Sequence, residues 1–302
     1  MLLKESPSTT LRAGLELWQL AQAAEGKRPT TIKGHREHLR PLFRYLEGQA
    51  ITEVEALNPF PLRAYFAQYL QTHSPHGAQS VYSSLRAFCN WLLREGLLSQ
   101  SPLARLKPPK APVTSKPVYR PGELKALVSA LSGDNTPAGL RDAAIVALLM
   151  DTGARASEVT GLRLQDIQGE ALLLRQTKTG RPRMLFLGKK SSQALHRYLA
   201  MGRPKMRPQG DVLFLGRREG EALTRSGLQS LLKRWQSRLG VKLSAHRFRH
   251  TWATQMLRSG VDLETLRLLG GWTDYTMLRT YTHLAGEDLR EAMKRHSPLD
   301  RL

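Results

Sequence analysis

Apolar residues recur at helical spacing through the first hundred positions of the chain. Leu11, Leu15, Trp18 and Leu20 predict one helix from Thr9 to about Ala24, and Ile32, Leu39, Leu42, Phe43 and Leu46 predict a second after Pro29. Asn58-Pro59 opens a third segment with Leu62, Tyr65, Phe66, Tyr69 and Leu70. His76-Gly77 precedes a fourth, with Val81, Leu85, Phe88, Trp91 and Leu92 on its apolar face. Residues 1–107 therefore read as a small all-helical bundle.

The pattern breaks between Ser101 and Pro121, SPLARLKPPKAPVTSKPVYRP, where repeated prolines forbid a continuous helix and favour an extended connector. The expected division is a helical domain over 1–107, a basic proline-rich linker over 108–120 and a second domain over 121–302. Pro121-Gly122-Glu123-Leu124 begins a new helix, and LRDAAIVALLM from Leu140 to Met150 is apolar enough to be a buried one. Asp151-Thr152-Gly153 ends it. Two short apolar runs in ALLLRQTKTGRPRMLFL, residues 171–187, flank Lys178-Thr179-Gly180 and predict a β-hairpin with Lys178 near its tip. Asp211 to Leu215 reads as a further strand. Helices are expected over about Thr224–Leu239, Ala245–Ser259, Leu263–Leu269, Tyr275–Leu284 and Gly286–Arg295. The fold class is thus mainly α with a small β-sheet.

At 302 residues the chain has room for two cores, since single domains commonly run to about 100–200 residues. Charge changes the picture further. The chain carries 46 Lys+Arg against 25 Asp+Glu, a net +21, and most of that excess lies beyond residue 108. Such a field concentrates polyanions, of which nucleic acid is the commonest; an anionic membrane surface is the rival. The basic residues do not form one amphipathic helix, which disfavours the membrane. Lys27, Arg28, Lys33, Arg36, Arg40 and Arg44 cluster in or beside the second helix, as a contact surface or as a solvated face. The single cysteine, Cys89, lies in the apolar run SLRAFCNWLL and reads as a buried thiol, pointing to a reducing interior. With no signal-peptide core and no run near the roughly 18–20 apolar residues of a membrane span, a cytoplasmic location is expected.

The stretch LSAHRFRHTWATQMLRSGVDLETLRLLGGWTDYTMLRTYTHL, residues 243–284, together with TGARASEVTGL upstream, carries the chemistry. Cleaving a phosphodiester builds negative charge on the non-bridging oxygens, and fixed guanidiniums aimed there stabilise the transition state. Arg155 and Arg249 fit that role because the guanidinium fork donates bidentately and stays charged. Tyr281 suits an in-line nucleophile and Lys178 a proton donor to the departing sugar oxygen. His246 lies three residues before Arg249 and so shares its helix face; Glu158 is a reasonable partner to orient its imidazole. Trp272 offers an indole donor and an apolar wall. Taken singly, each has a plainer reading: Arg155 as a surface charge, Trp272 as core, Tyr281 as a packing residue. His246 and His250 are four apart, but Arg-Phe-Arg separates them, the glutamate of His-Glu-x-x-His is missing, and adjacent cations repel a divalent ion. Neither metal nor cofactor is expected.

In order and spacing these motifs resemble those of the tyrosine recombinase/integrase family. The match is specific over about 118–295 and looser over the N-terminal part, which resembles the family's core-binding domain. The resemblance implies Arg155 and Arg249 as the catalytic arginines, Lys178 as general acid, His246 as catalytic histidine and Glu158 as the supporting acidic residue. Trp272 falls at the family's His/Trp position, Tyr281 would be the nucleophile, and His250 would be a supporting structural residue. It also implies two domains clamped around double-stranded DNA and a 3′-phosphotyrosyl intermediate. A homo- or hetero-tetramer on two DNA sites is expected, held through a C-terminal helix bearing Leu284, Leu289 and Met293. A second recombinase or a DNA translocase is an implied partner. The sequence is most like the Xer-type site-specific recombinases, which resolve chromosome dimers, although Leu-Gly-Gly-Trp stands where these commonly have Leu-Gly-His. Trp at that point is more like phage or mobile-element integrases. A type IB topoisomerase-like enzyme and a catalytically silent DNA-binding protein are the rivals from other classes.

Overall fold

Helices α1 (Leu11–Ala24), α2 (Pro29–Glu47), α3 (Pro59–Thr72) and α4 (Pro75–Arg94) each begin where the local chemistry lets a helix begin. The hydroxyl of Thr10 accepts from the Ala13 N–H, the amide oxygen of Asn58 from Phe60 and the hydroxyl of Ser74 from Gly77, each at 3.1 Å. Pro29, Pro59 and Pro75 occupy first-turn positions, where the missing N–H has no intrahelical partner to lose. The computed structural model describes residues 9–112, 117–175, 182–218, 220–275 and 278, and the chain divides into two compact units, Met1–Thr114 and Ser115–Leu302.

The core of the first unit is built from Leu11, Leu39, Leu42, Leu46, Leu62, Leu85, Phe88 and Leu92, all fully buried. Burying each such side chain contributes about 1.5–3 kcal/mol. Cys89 is buried among them, and burial pushes its thiol up to about 12, so it is a packing residue. The opposite face of α2 is basic: Arg36, Arg40 and Arg44 succeed one another at four-residue intervals. With Arg12, Glu16 and Glu47 they line a groove of about 390 Å³ between α1 and α2.

In the second unit α6 (Pro137–Thr152) is the buried centre, flanked by α5 (Pro121–Ser132), α8 (Lys189–Arg197) and α10 (Ala245–Arg258). Leu140, Ala144, Ile145, Leu148 and Leu149 of α6 are buried in the core they share. A three-stranded antiparallel sheet, β1 (Ile167–Gln168), β2 (Ala171–Leu174) and β3 (Arg183–Phe186), lies beside it in the order β1-β2-β3. Its register pairs Leu172 with Leu185 and, at the outer end, Leu174 with Arg183. Helices α7 (Ala156–Thr160), α9 (Arg225–Leu239) and α11 (Leu263–Gly270) complete the described part.

Three departures from the sequence reading have physical reasons. Asp211 to Leu215 is not a strand; it makes isolated bridges, Arg163 to Val212 and Leu215 to Ala222. Its carbonyls accept from several separate groups instead, Asp211 from the Leu164 N–H, Val212 from the buried Arg203 at 2.8 Å, Phe214 from the Leu223 N–H and Leu215 from Arg141, so no continuous ladder forms there. Helix α8 was not foreseen because KKSSQALHR has Leu195 as its one large apolar residue and shows no stripe. The five-residue α7 is too short for a periodicity to register. Of the helix expected over 275–284 only Tyr275 and Leu278 are described, and the helix expected over 286–295 and the hairpin turn with Lys178 lie outside the described residues.

Candidate active site

The last turn of α11 and the two residues after it organise the basic side chains. Helix carbonyls at a C-terminus lack intrahelical donors and carry the negative end of the helix dipole, so cations gather there. Arg183 donates to the Leu269 carbonyl, Arg249 to that of Gly270 at 2.6 Å and Arg155 to that of Gly271 at 3.3 Å. Three guanidiniums thus hang from three consecutive carbonyls.

Glycine is what lets the chain pass between them. Gly271 adopts φ 61°, the left-handed conformation that ends the helix, and a Cβ there would stand 2.7 Å from Cδ and Nε of Arg183. A Cβ on Gly270 would meet the Trp272 ring at 1.9 Å. Gly153 does the same for the other end of the site. At φ 59° it ends α6, its carbonyl accepts from Arg249 at 2.8 Å, and the Trp252 ring lies 2.3 Å from where its Cβ would be.

Arg155 follows at the start of α7, where Glu158 reaches back to accept from the Arg155 backbone N–H at 2.8 Å and from its guanidinium at 2.7 Å. Glu158 is almost wholly buried and also accepts from Arg183 at 2.9 Å. Burial pushes its carboxyl up, but Arg183 and the hydrogen bonds from Arg155 outweigh that and hold it below its ordinary value. The expected pairing of Glu158 with His246 is therefore corrected: among the described residues, the hydrogen bonds to its carboxylate come from Arg155 and Arg183. A buried carboxylate is better compensated by two guanidiniums than by one imidazole.

His246 and Arg249 lie on α10, whose N-cap Ser244 accepts from Arg247 at 3.1 Å. His246 is exposed in the first turn, where helix N–H groups favour an approaching anion. His250 is buried one turn on, with its ring edge-to-face against that of His246 at 4.7 Å. Trp272 is buried, stacked on Trp252 at 6.1 Å, and the Arg249 guanidinium lies over its ring at 4.2 Å. The segment just beyond the proline-rich stretch steadies α10 from behind. Tyr119 donates its N–H to the Thr251 hydroxyl at 2.9 Å, and Arg247 stacks over the Tyr119 ring at 4.1 Å while donating to Val118 and Glu123 at 3.0 Å.

The fold therefore brings Arg155, Glu158, Arg249 and Trp272 together and sets His246 and His250 on the same helix as Arg249. Lys178 and Tyr281 lie outside the described residues. Sequence reasoning passed over Arg183, Gly270 and Gly271. A signal for Arg183 was available: two-residue alternation places it on the same strand face as the buried Leu185, an inward position for a charge. Chemically, the cluster gathers the guanidiniums of Arg155, Arg183 and Arg249 beside the indole of Trp272, a concentration of fixed positive charge suited to an anionic group.

Comparison with known proteins gives a consistent result. Residues 118–288 match the model of the phage integrase family. The chain is 28% identical over 282 residues to tyrosine recombinase XerD of Listeria innocua, covering 91% of this chain and 94% of that protein. It is 32% identical over 268 residues to tyrosine recombinase XerC of Anoxybacillus flavithermus, covering 86% and 89%. Among solved structures, a lambda integrase dimer (residues 75–356) bound to a COC′ core site shares the fold, with a TM-score of 0.72 at 17% identity over 89% of this chain and 97% of that one.

Proposed function

From the premise that this chain belongs to the phage integrase family, as a tyrosine recombinase of the Xer type, we propose that it cuts and rejoins double-stranded DNA at specific sites through Tyr281. The observation that carries the reading is the suspension of Arg155 and Arg249 from the successive carbonyls of Gly271 and Gly270, which gathers two guanidiniums at one helix end. Their role is to neutralise the non-bridging oxygens of the scissile phosphate as charge develops. Trp272, under Arg249, supplies an indole and excludes water on that side.

In the proposed step the Tyr281 oxygen attacks phosphorus, a 3′-phosphotyrosyl ester forms, and the bond to the sugar 5′ oxygen breaks. Lys178 gives that oxygen its proton, and His246 exchanges a proton with the attacking phenol. A 5′-hydroxyl from a partner strand then attacks the phosphotyrosine, restores a DNA ester and releases Tyr281. One ester replaces another at each stage, so the reaction needs no external energy source.

The same reading assigns the N-terminal helical unit and the basic stripe of α2 to the duplex backbone, and the segment 284–293 to contacts within a tetramer on two sites. Resolution of chromosome dimers, alone or with a second recombinase, is the proposed role. That role rests on the Xer-type relatives. Among the described residues no helix is long and apolar enough to cross a membrane. The experiment is recombination between two plasmid-borne copies of a site selected by binding. Strand exchange dependent on both copies supports the proposal, whereas relaxation of supercoils on any plasmid would make the enzyme topoisomerase-like instead.

A further inference from the structure

Arg183 occupies a junction that the proposed chemistry does not use. It begins β3 directly opposite Leu174, at the root of the connection that carries Lys178 in the sequence. One terminal nitrogen donates to the Glu158 carboxylate at 2.9 Å and the other to the Leu269 carbonyl at the end of α11. Its side chain is only 11% exposed. Three pieces of the site thereby meet on one residue: the strand leading from Lys178, the carboxylate that grips Arg155, and the helix end whose next two carbonyls hold Arg249 and Arg155.

Charge explains why a second guanidinium is needed there. Glu158 with Arg155 alone would be a neutral pair, and its carboxylate would draw on the same positive charge that the phosphate requires. Arg183 shares the carboxylate, leaving the triad net positive. Shape explains why it is an arginine: a planar fork reaches a carboxylate and a carbonyl at once, whereas a lysine presents one point of charge. The left-handed Gly271 is moulded to the same side chain, since a Cβ there would collide with it.

We propose that Arg183 is a positioning residue for DNA cleavage, which holds Glu158 between two guanidiniums and so keeps Arg155 oriented towards the phosphate without Glu158 neutralising the charge of the pair. This role rests on the recombinase reading above. The test is a double-mutant cycle on single-turnover cleavage of a nicked suicide duplex containing the selected site, with wild type, Arg183→Gln, Glu158→Gln, the double variant and Arg183→Lys. Arg183→Gln is expected to cleave about 10–100-fold more slowly, the scale of a misplaced catalytic group. Its DNA affinity should change by less than about threefold, because both terminal nitrogens of Arg183 are engaged by Glu158 and the Leu269 carbonyl. In the Glu158→Gln background the same change should cost less than about threefold, since the charge it answers is gone.

Arg183→Lys, which keeps the charge without the fork, should fall between wild type and Arg183→Gln, and it carries the test if the glutamine variant does not fold. Cleavage by Arg183→Gln within about threefold of wild type, or an equal loss with and without Glu158, would overturn the assignment. Absence of adduct from wild type itself would overturn the recombinase reading and this role with it; adduct from wild type together with unaffected variants overturns the role alone.

Discussion

Arg249 reaches the carbonyl of Gly270 at 2.6 Å, and Gly270 in turn has no room for a side chain because the Trp272 ring fills the place its Cβ would take. The arginine, the glycine and the tryptophan are thus one packed unit, with the guanidinium stacked over the indole at 4.2 Å. The geometry of the candidate site is inherited from helix-end backbone, and that dependence makes the following outcomes testable.

Gly270→Ala forces the Trp272 ring, 1.9 Å from the new methyl, to move. Overpacking of this kind typically costs about 1–3 kcal/mol. The variant is expected to show a lowered urea midpoint and slower cleavage, because displacing Trp272 also disturbs the carbonyl that holds Arg249. Equilibrium unfolding and single-turnover cleavage check both; unchanged cleavage would separate the glycine from the arginine.

Arg155→Ala and Arg249→Ala should each lower the cleavage rate about 100–1,000-fold, the usual loss when one donor to a developing oxyanion is removed. Arg249→Ala should also be the less stable of the two, since Arg249 is 6% exposed and bridges the carbonyls of Gly153 and Gly270. A rate within about tenfold of wild type in either variant would remove that residue from the phosphate site.

Glu158 predicts an acid limb of stability. Its carboxyl is held below the ordinary value of 4.5 in the folded chain, so its ionised form stabilises the fold at pH above that value. The contribution is lost as pH falls below 4.5 and through the lower folded value. Urea midpoints measured across this range should therefore drop more steeply for wild type than for Glu158→Gln, which has no proton to take up. Parallel curves would contradict the pairing with Arg155 and Arg183.

Arg40 and Arg44 are exposed one turn apart on α2, beside the groove with Arg12. If both neutralise phosphates, changing both to Gln should lower the slope of log affinity against log salt by about two, with losses similar on every DNA sequence. Fluorescence anisotropy on specific and random duplexes reads this directly. An unchanged slope would leave the stripe as a solvated face.

Much of this is legible in the sequence itself. The α1, α2 and α4 periodicities are strong because Leu15, Leu39, Leu42 and Leu85 face one core, and proline or a capping side chain marks the starts of α2, α3 and α4. The grouping of Arg155, Arg249 and Trp272 was legible through their spacing and family resemblance. What stayed hidden depends on contacts between distant segments. Glu158 sits 25 residues from Arg183, and although strand alternation marks Arg183 as an inward charge, nothing local names Glu158 as its partner. The carbonyls of 269–271 were invisible for another reason: backbone acceptors leave no mark in composition, and only the Gly-Gly pair hints that the chain must turn tightly there.

The most direct test is a denaturing gel of wild type and Tyr281→Phe incubated with a nicked, end-labelled duplex carrying the selected site, in the presence of EDTA, with any adduct mapped by peptide sequencing. The account predicts a covalent protein–DNA species in wild type, attached at Tyr281 through a 3′ phosphate, and none in Tyr281→Phe although that variant still binds the duplex. An adduct that persists in Tyr281→Phe, or one that maps to another residue, would contradict it.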